Sequence, residues 1–144
     1  MVKELFKNLL LFCIFGAIYC GIEILWRGYT NISMGIVGGL AGVFIGQLNE
    51  RIYNRYADKI SILAQCIIGC VWITLLEGCF GYILNVVLKL NIWDYSGMPG
   101  QFFFGQCCVP YCILWFFLAG AAVFLDDWIR YLLFDEPIKK YKWI

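Results

Sequence analysis

A stretch of 24 residues without a charged side chain runs from Phe102 to Leu125 and reads FFFGQCCVPYCILWFFLAGAAVFL. An α-helix needs about 20 consecutive apolar residues to cross roughly 30 Å of hydrocarbon, because each residue adds about 1.5 Å. The stretch is long enough, and it is uniformly apolar where a membrane β-strand would alternate in polarity. It therefore predicts a transmembrane helix.

Three further apolar stretches have a similar length. Together with the first they predict an all-α polytopic membrane protein, a bundle of four transmembrane helices in one domain over residues 1–144. The stretch nearest the amino terminus continues to Trp26 without an A-x-A-like cleavage site, which favours a retained helix over a signal peptide. The predicted spans are about 6–26, 32–48, 60–88 and 102–133, with an outer loop at 89–101 and a cytoplasmic tail at 134–144.

The composition excludes an ordinary soluble domain. The 144 residues are 62% hydrophobic and 15% charged, with a mean hydropathy of +0.78, whereas a soluble domain carries about 25% charged residues. The formal net charge is only +1. The expected surroundings are therefore a lipid bilayer, and nothing in the charge predicts nucleic-acid binding.

The basic residues predict the orientation of the bundle. Nine of the 11 lie near the two ends of the chain or in the connection 50–59, and the other two are Arg27 and Lys89. Lys and Arg accumulate on the cytoplasmic side of membrane proteins. Both termini are therefore predicted to be cytoplasmic.

Glycine is concentrated in the second predicted span. Small residues four positions apart let two membrane helices approach closely. The face could pack against a neighbouring helix of the same chain, form the seam of a homo-oligomer, or expose its backbone to a permeating solute. The helix-packing residues predicted in this way are Gly35, Gly38, Gly39, Gly42 and Gly46.

Two glutamates lie inside predicted spans, where an ionised carboxylate is costly unless it is paired or hydrated. Glu23 has Arg27 four residues later, a spacing that favours an ion pair on a helix. Glu77 has no basic residue three or four positions away. It must therefore face protein, water or a cation from another helix, or carry a proton. Either glutamate could be a structural pair or part of a solute or proton site.

The outer loop contains Trp93-Asp94-Tyr95-Ser96. Trp and Tyr favour the headgroup level of a membrane, so the loop could be a simple interfacial hairpin. It could also fold inward, so that Asp94 meets Arg27 over an outward-facing polar pocket. Further hydrogen-bonding groups for such a pocket would come from Thr74, Tyr82, Asn85 and Gln106.

The end of the last span carries three charged residues within helical reach. Arg130 follows Asp126 by four positions and Asp127 by three, which favours an internal ion pair at a solvated helix end. The same residues could instead dock a cytoplasmic partner.

The chain has no histidine, and its eight cysteines all fall inside predicted spans. Buried cysteines usually behave as small apolar residues, and the absence of histidine removes the common catalytic pairs and mixed zinc sites. We therefore expect no metal site, no cofactor and no catalytic residue, and an enzyme is the less favoured class.

Three ordered motifs resemble a bacterial family labelled putative ABC-transporter type IV, or putative ABC transporter permease. They are YCGIEILWRGYT from Tyr19 to Thr30, LLEG from Leu75 to Gly78 and NIWDYS from Asn91 to Ser96, followed by Pro99 and Gly105-Gln106. The resemblance implies a transport role, a separate ATPase subunit, self-association and a location in the inner membrane of a bacterial cell.

The favoured interpretation is a transport component with an outward-facing intramembrane polar site for a small solute or ion. A non-transport scaffold or regulatory subunit is the first alternative, and a membrane enzyme acting on lipid headgroups is the second. The residues predicted to bind the solute or ion are Glu23, Arg27, Glu77, Trp93, Asp94 and Tyr95.

Overall fold

A computed structural model gives the fold and describes residues 2–56 and 60–144, except for the side chains of residues 52–56. The described residues form four long helices, one π-helical segment and two short strands. In chain order these are α1 (Val2–Arg27), α2 (Ile32–Tyr56), α3 (Ile62–Gly81), the π-helical segment (Tyr82–Val87), β1 (Gln101–Phe102), β2 (Cys107–Cys108) and α4 (Val109–Phe134). All four α-helices are long and apolar enough to cross a membrane. The predicted all-α membrane fold with four helices is therefore confirmed.

Local side-chain and backbone preferences mark the ends of the helices. Asn31 precedes α2 and accepts a hydrogen bond from the backbone N–H of Ser33 at 3.0 Å. Ser61 precedes α3 and accepts one from the backbone N–H of Ala64 at 3.2 Å. Both are N-caps, which satisfy donors left free in a first turn. Gly28 ends α1 with a φ of 83°, a left-handed angle that glycine adopts without strain.

The fourth helix begins at Val109, whereas the apolar run predicts a span from residue 102. Phe103, Phe104 and Gly105 have φ angles of 52°, 58° and 72°, so the backbone turns back there. The turn joins β1 and β2 as an antiparallel pair. Hydropathy cannot distinguish this hairpin from a helix, because both are equally apolar.

The helix α2 lies at the centre of the bundle. It packs along α1 and also contacts α3 and α4, while α3 packs along α4. In the most apolar window of α2, 56% of the residues are buried, compared with 17%, 22% and 28% in α1, α3 and α4. The other three helices therefore present most of their apolar surface outward, as expected for contact with lipid.

The glycine-rich face of α2 packs mainly against α1. A Cβ atom added at Gly39 would lie 2.7 Å from both the ring and the carbonyl oxygen of Phe12, and one added at Gly38 would lie 2.8 Å from the ring of Tyr19. Gly35 and Gly42 face α1 in the same way, whereas Gly46 faces α4. A second copy of the chain could therefore use this face only by displacing α1.

Both chain termini lie at one end of the bundle, which we call the terminal end, and the α1–α2 and α3–α4 connections lie at the other, the loop end. Lys7 in α1 contacts Glu136 just beyond α4 at 2.7 Å. The tail also folds back onto the helices, because the backbone N–H of Ile62 donates to the carbonyl oxygen of Lys142 at 2.8 Å.

Candidate functional site

Glu77 is the most deeply buried acidic group at the loop end, with only 2% of its surface exposed. The Tyr95 hydroxyl donates a hydrogen bond to Oε1 of Glu77 at 2.8 Å. The Trp115 indole N–H donates to Oε2 at 2.9 Å. Among the described residues, no basic side chain forms an ion pair with Glu77. Its negative charge is therefore met by hydrogen-bond donors but not by a cation.

Hydrogen bonds to Gln106 and its neighbours hold the outer loop over Glu77. The Trp93 indole N–H donates to the Gln106 carbonyl oxygen at 3.2 Å, and the Asn85 amide donates to the Gln106 side-chain oxygen at 2.8 Å. The Tyr95 backbone N–H donates to the Gly105 carbonyl oxygen at 2.7 Å. These contacts bring the Tyr95 hydroxyl to the carboxylate, so the loop caps the site. Burial and the nearby Glu77 charge raise the pKa of Tyr95, which keeps the hydroxyl a donor.

Aromatic rings surround the same carboxylate. Tyr95 stacks on Tyr111 with 4.7 Å between ring centroids, Tyr111 lies 5.8 Å from Trp115, and Trp115 lies 6.0 Å from Tyr19. These distances are typical of interacting aromatic pairs. We call Glu77, Tyr19, Tyr95, Tyr111 and Trp115 the loop-end site.

A cavity of about 130 Å³ extends from the loop-end site into the bundle. It lies between α1 and α4, over α2, and Glu77 is the one charged group among the described residues that line it. Its other walls are apolar or aromatic. They include Phe15, Ile18 and Ile22 from α1, Met34, Val37, Ala41 and Ile45 from α2, Ile73 from α3, Trp93 from the outer loop, and Trp115, Leu118, Ala121, Ala122 and Leu125 from α4.

Glu23 and Arg27 form a separate pair near the loop end. The closest nitrogen–oxygen distance between them is 2.8 Å, and the Thr30 hydroxyl donates to the other oxygen of Glu23 at 2.5 Å. Arg27 also donates to the carbonyl oxygen of Ile92 in the outer loop, at 3.5 Å. The pair therefore connects α1 to the loop that caps Glu77.

Asp94 lies at the surface and does not meet Arg27. Its carboxylate accepts hydrogen bonds from the Ser96 backbone N–H at 2.8 Å and the Ser96 hydroxyl at 2.5 Å. These bonds lower the pKa of Asp94 below its usual value. A carboxylate saturated by a residue two positions away forms a local turn more readily than a long-range pair. Of the six residues predicted to bind a solute, the structure brings Glu77, Trp93 and Tyr95 together, places Glu23 and Arg27 beside them, and leaves Asp94 outside.

A second buried cluster, which we call the terminal network, occupies the other end of the bundle. Arg130 contacts Asp126 at 2.6 Å and Glu136 at 3.4 Å, and Lys7 contacts Glu136 at 2.7 Å. Arg130 and Asp126 are 2% and 0% exposed. Although burial raises the pKa of Glu136, the hydrogen bond and charge of Lys7 hold it below its usual value.

Asp127 joins the terminal network to the tail. Its carboxylate accepts hydrogen bonds from Asn49 at 3.0 Å, from Lys139 at 3.2 Å and from the Tyr141 hydroxyl. Lys139 also contacts Glu50. The three residues predicted to dock a partner, Asp126, Asp127 and Arg130, are thus engaged with other parts of the same chain.

Glu50, Asp126 and Asp127 place carboxylate oxygens within 4.8 Å of one another, an arrangement that could hold a metal ion. Arg130 and Lys139 already contact these carboxylates. The network therefore supplies its own cations.

Tyr19, Tyr111 and Trp115 contribute to the loop-end site although their positions in the sequence did not identify them. Tyr and Trp usually lie at the membrane interface. Trp115 is six residues into the fourth helix, below the interface where tryptophan is common. At that depth its indole N–H needs a polar partner, and this was the signal that could have identified it. The further members of the terminal network, also not identified, are Lys7, Asn49, Glu50, Glu136, Lys139 and Tyr141.

Comparison with known proteins identifies one family. The profile of the family described as Putative ABC-transporter type IV matches residues 5–142. No protein with a curated description and no solved structure matches the chain.

Proposed function

Because the chain belongs to the Putative ABC-transporter type IV family, we propose that it is a transport component whose loop-end site binds a small solute or ion within the membrane. The family and the four apolar helices make it a multi-pass membrane protein of the transport type. The single observation that carries the more specific proposal is Glu77, a buried carboxylate that faces a cavity without a basic partner among the described residues.

If Glu77 had a purely structural role, its buried charge would destabilise the fold without any compensating cation. An ionisable group in the membrane interior usually faces a partner or a water-filled pathway and marks a functional site. Glu77 has two hydrogen-bond donors but no cation. A bound cation or a proton would complete the neutralisation, so binding either one is the chemistry that the site supports.

The outer loop would control access to the site. Tyr95 belongs to the loop and also donates a hydrogen bond to Glu77. Movement of the loop would therefore remove one of the two hydrogen-bond donors from the carboxylate. The Glu23–Arg27 pair would help to seat the loop through Ile92. Asp94 would act through the turn it forms with Ser96 and would not itself touch the solute.

The orientation and the energy source follow from the same proposal. The excess of basic residues at the terminal end supports a cytoplasmic position for that end, with the loop end outside. The family description implies an ATPase partner, so ATP hydrolysis would come from a separate subunit at the terminal end. Since Asp126, Asp127 and Arg130 are buried, the subunit would contact exposed neighbours such as Trp128 and Tyr131. Fusion reporters at the carboxyl terminus test the orientation.

Flux through reconstituted vesicles tests the transport role. The full chain would be purified in mild detergent with any associated ATPase, placed in liposomes, and offered labelled monovalent cations from rubidium to alkylammonium ions of increasing length. We expect at least one of these cations, or a proton followed with an internal pH dye, to move. Glu77→Gln should reduce the rate at least about tenfold, because the charge that completes the site is lost.

Glu4→Gln is the matched control, because the side chain of Glu4 is 64% exposed at the terminal end. Equal flux in the wild type and Glu77→Gln would contradict the proposal. A co-purified partner that is not an ATPase, with no flux, would favour a scaffold. An altered lipid composition on overexpression would favour an enzyme acting on headgroups.

A further inference from the structure

We propose that the cavity below Glu77 binds a single-chain amphipathic organic cation, with the cationic head at Glu77 and the apolar chain between α1 and α4. The inference rests on the proposed function, since it names the substrate class of the same site. Three features of the cavity support it: the charge at one end, the apolar walls and the opening toward lipid.

The loop-end site has the chemistry of a receptor for an organic cation. Glu77 supplies a negative charge without a basic partner among the described residues, and the rings of Tyr19 and Trp115 lie beside it, 6.0 Å apart. Aromatic faces attract desolvated cations, and quaternary ammonium groups are commonly recognised in this way. An anionic head would instead be repelled by the carboxylate.

The walls of the cavity select an apolar body behind the cationic head. On α4 the lining residues run from Trp115 to Leu125, and on α2 from Met34 to Ile45. Ten or eleven helical residues correspond to about 15 Å. The centre of a water-sized sphere can reach about 130 Å³ over this length, which corresponds to the width of one alkyl chain. A small inorganic ion would fill only the end near Glu77.

The cavity also has a route of entry from the bilayer. Ile18 and Ile22 of α1 and Ala121 of α4 line it and are also exposed on the outer surface of the bundle. The helices α1 and α4 approach each other less closely than neighbouring pairs do. They meet at Tyr19–Trp115 near the loop end and in the cluster of Leu11, Phe15 and Ile129 nearer the terminal end. An amphiphile already dissolved in lipid could therefore enter between these two contacts.

Equilibrium binding of tritiated decyltrimethylammonium to the full chain in lipid nanodiscs tests the inference. Empty nanodiscs correct for partition into lipid. We expect saturable binding of about one cation per chain, and a Kd about tenfold or more higher in Glu77→Gln, because the charge contact is worth at least about 1.4 kcal/mol. Glu77→Asp keeps the charge and should retain part of the binding. Circular dichroism and elution volume check that each variant is folded.

Two phenylalanine variants distinguish binding inside the apolar cavity from adsorption to the outer surface of the helices. Ala122→Phe places a ring in the cavity and should weaken binding of the decyl cation. Ala17→Phe adds the same ring to the exposed side of α1 and should leave binding unchanged. Unlabelled decyl sulfonate, which has the same chain and the opposite charge, should not compete.

The absence of saturable binding above empty nanodiscs would overturn the inference. So would equal binding by folded Glu77→Gln, competition by decyl sulfonate, or an unchanged Kd in Ala122→Phe. Flux of rubidium or protons without decyltrimethylammonium binding would retain the proposed function and reject this substrate class. Binding of the cation without any flux would retain the ligand and reject the transport role.

Discussion

The two ends of the bundle both bury carboxylates, but they neutralise them in different ways. At the terminal end, Asp126 is fully buried and contacts Arg130 at 2.6 Å. At the loop end, Glu77 is 2% exposed, and among the described residues its carboxylate accepts hydrogen bonds from the hydroxyl of Tyr95 and the indole of Trp115. The terminal network thus contains its own cations, and the loop-end site leaves a place for one.

The difference separates a structural role from a binding role. The charge of a buried carboxylate with a basic partner is already neutralised, and removing the partner leaves an uncompensated charge in the interior. A buried carboxylate that faces a cavity can be neutralised by a proton or a guest that comes and goes. Mutations at the two ends should therefore affect different properties: stability at the terminal end and binding at the loop end.

The largest effect on stability is expected from Arg130→Met. The substitution leaves Asp126 buried without its closest cation and should cost about 3–5 kcal/mol of unfolding free energy. Thermal unfolding in detergent, followed by circular dichroism, measures the loss. Adding Asp126→Asn to this variant should restore much of the stability, because the uncompensated charge is removed. A single variant as stable as the wild type would contradict the structural role of the network.

Tyr95→Phe should have a smaller effect, confined to the outer loop. It removes the hydrogen bond to Glu77, worth about 1 kcal/mol, so backbone hydrogen exchange in residues 92–96 should rise about fivefold. Tyr131→Phe is the matched control, because it removes an exposed hydroxyl from the terminal end and should leave the exchange in residues 92–96 unchanged. Equal exchange in Tyr95→Phe and the wild type would show that the hydroxyl does not hold the loop.

Acid should weaken the terminal network. The pKa of Glu136 is lowered from its usual 4.5, so its stabilising contribution is complete above pH 4.5 and is lost as the pH falls through the lowered value. The side chain is 30% exposed, so the change should be about 1 kcal/mol or less. Glu136→Gln should remove this part of the pH dependence of the melting temperature. The same pH slope in that variant would assign the effect to other groups.

Glu77→Gln should change the stability least, within about 1 kcal/mol, although it should raise the Kd of the cation about tenfold or more. The amide keeps an acceptor for Trp115, and its NH₂ group can donate to the Tyr95 oxygen, so both contacts persist without a charge. Chemical unfolding of the variant and the wild type in the same detergent compares them. A loss as large as that of Arg130→Met would place Glu77 among the structural groups and remove the contrast between the two ends.

The helical fold was predictable because the hydropathy of a long continuous segment is enough to identify a membrane-spanning helix. Four apolar segments are each close to or above the length that a helix needs to cross the bilayer. Only helices and closed barrels satisfy the backbone groups there, and these segments lack the alternating polarity of barrel strands. The beginning of α4 was less predictable, because the hairpin before Val109 is as apolar as the helix that follows. The pairing of Glu23 with Arg27 was also visible, since it depends on a spacing of four residues along one helix.

The terminal network shows where prediction from spacing stops. The contact between Asp126 and Arg130 is local and follows from their separation. The contacts of Lys7 with Glu136 and of Asn49 with Asp127 join positions distant in the sequence. The spacing alone predicts a solvated helix end at Asp126 and Arg130. Because these distant contacts bury both residues, that end is an interior cluster instead.

The amino-acid sequence by itself determined that the chain forms four membrane-spanning helices, that α2 carries a face of small residues, and that Glu77 lacks a cation near it along the chain. Only the tertiary structure decided that Tyr95 and Trp115 meet this carboxylate, that Asp94 turns away to Ser96, and that an apolar cavity opens between α1 and α4. Hydropathy and helical spacing depend on neighbouring residues, whereas the surroundings of a buried charge depend on how distant helices and loops pack together.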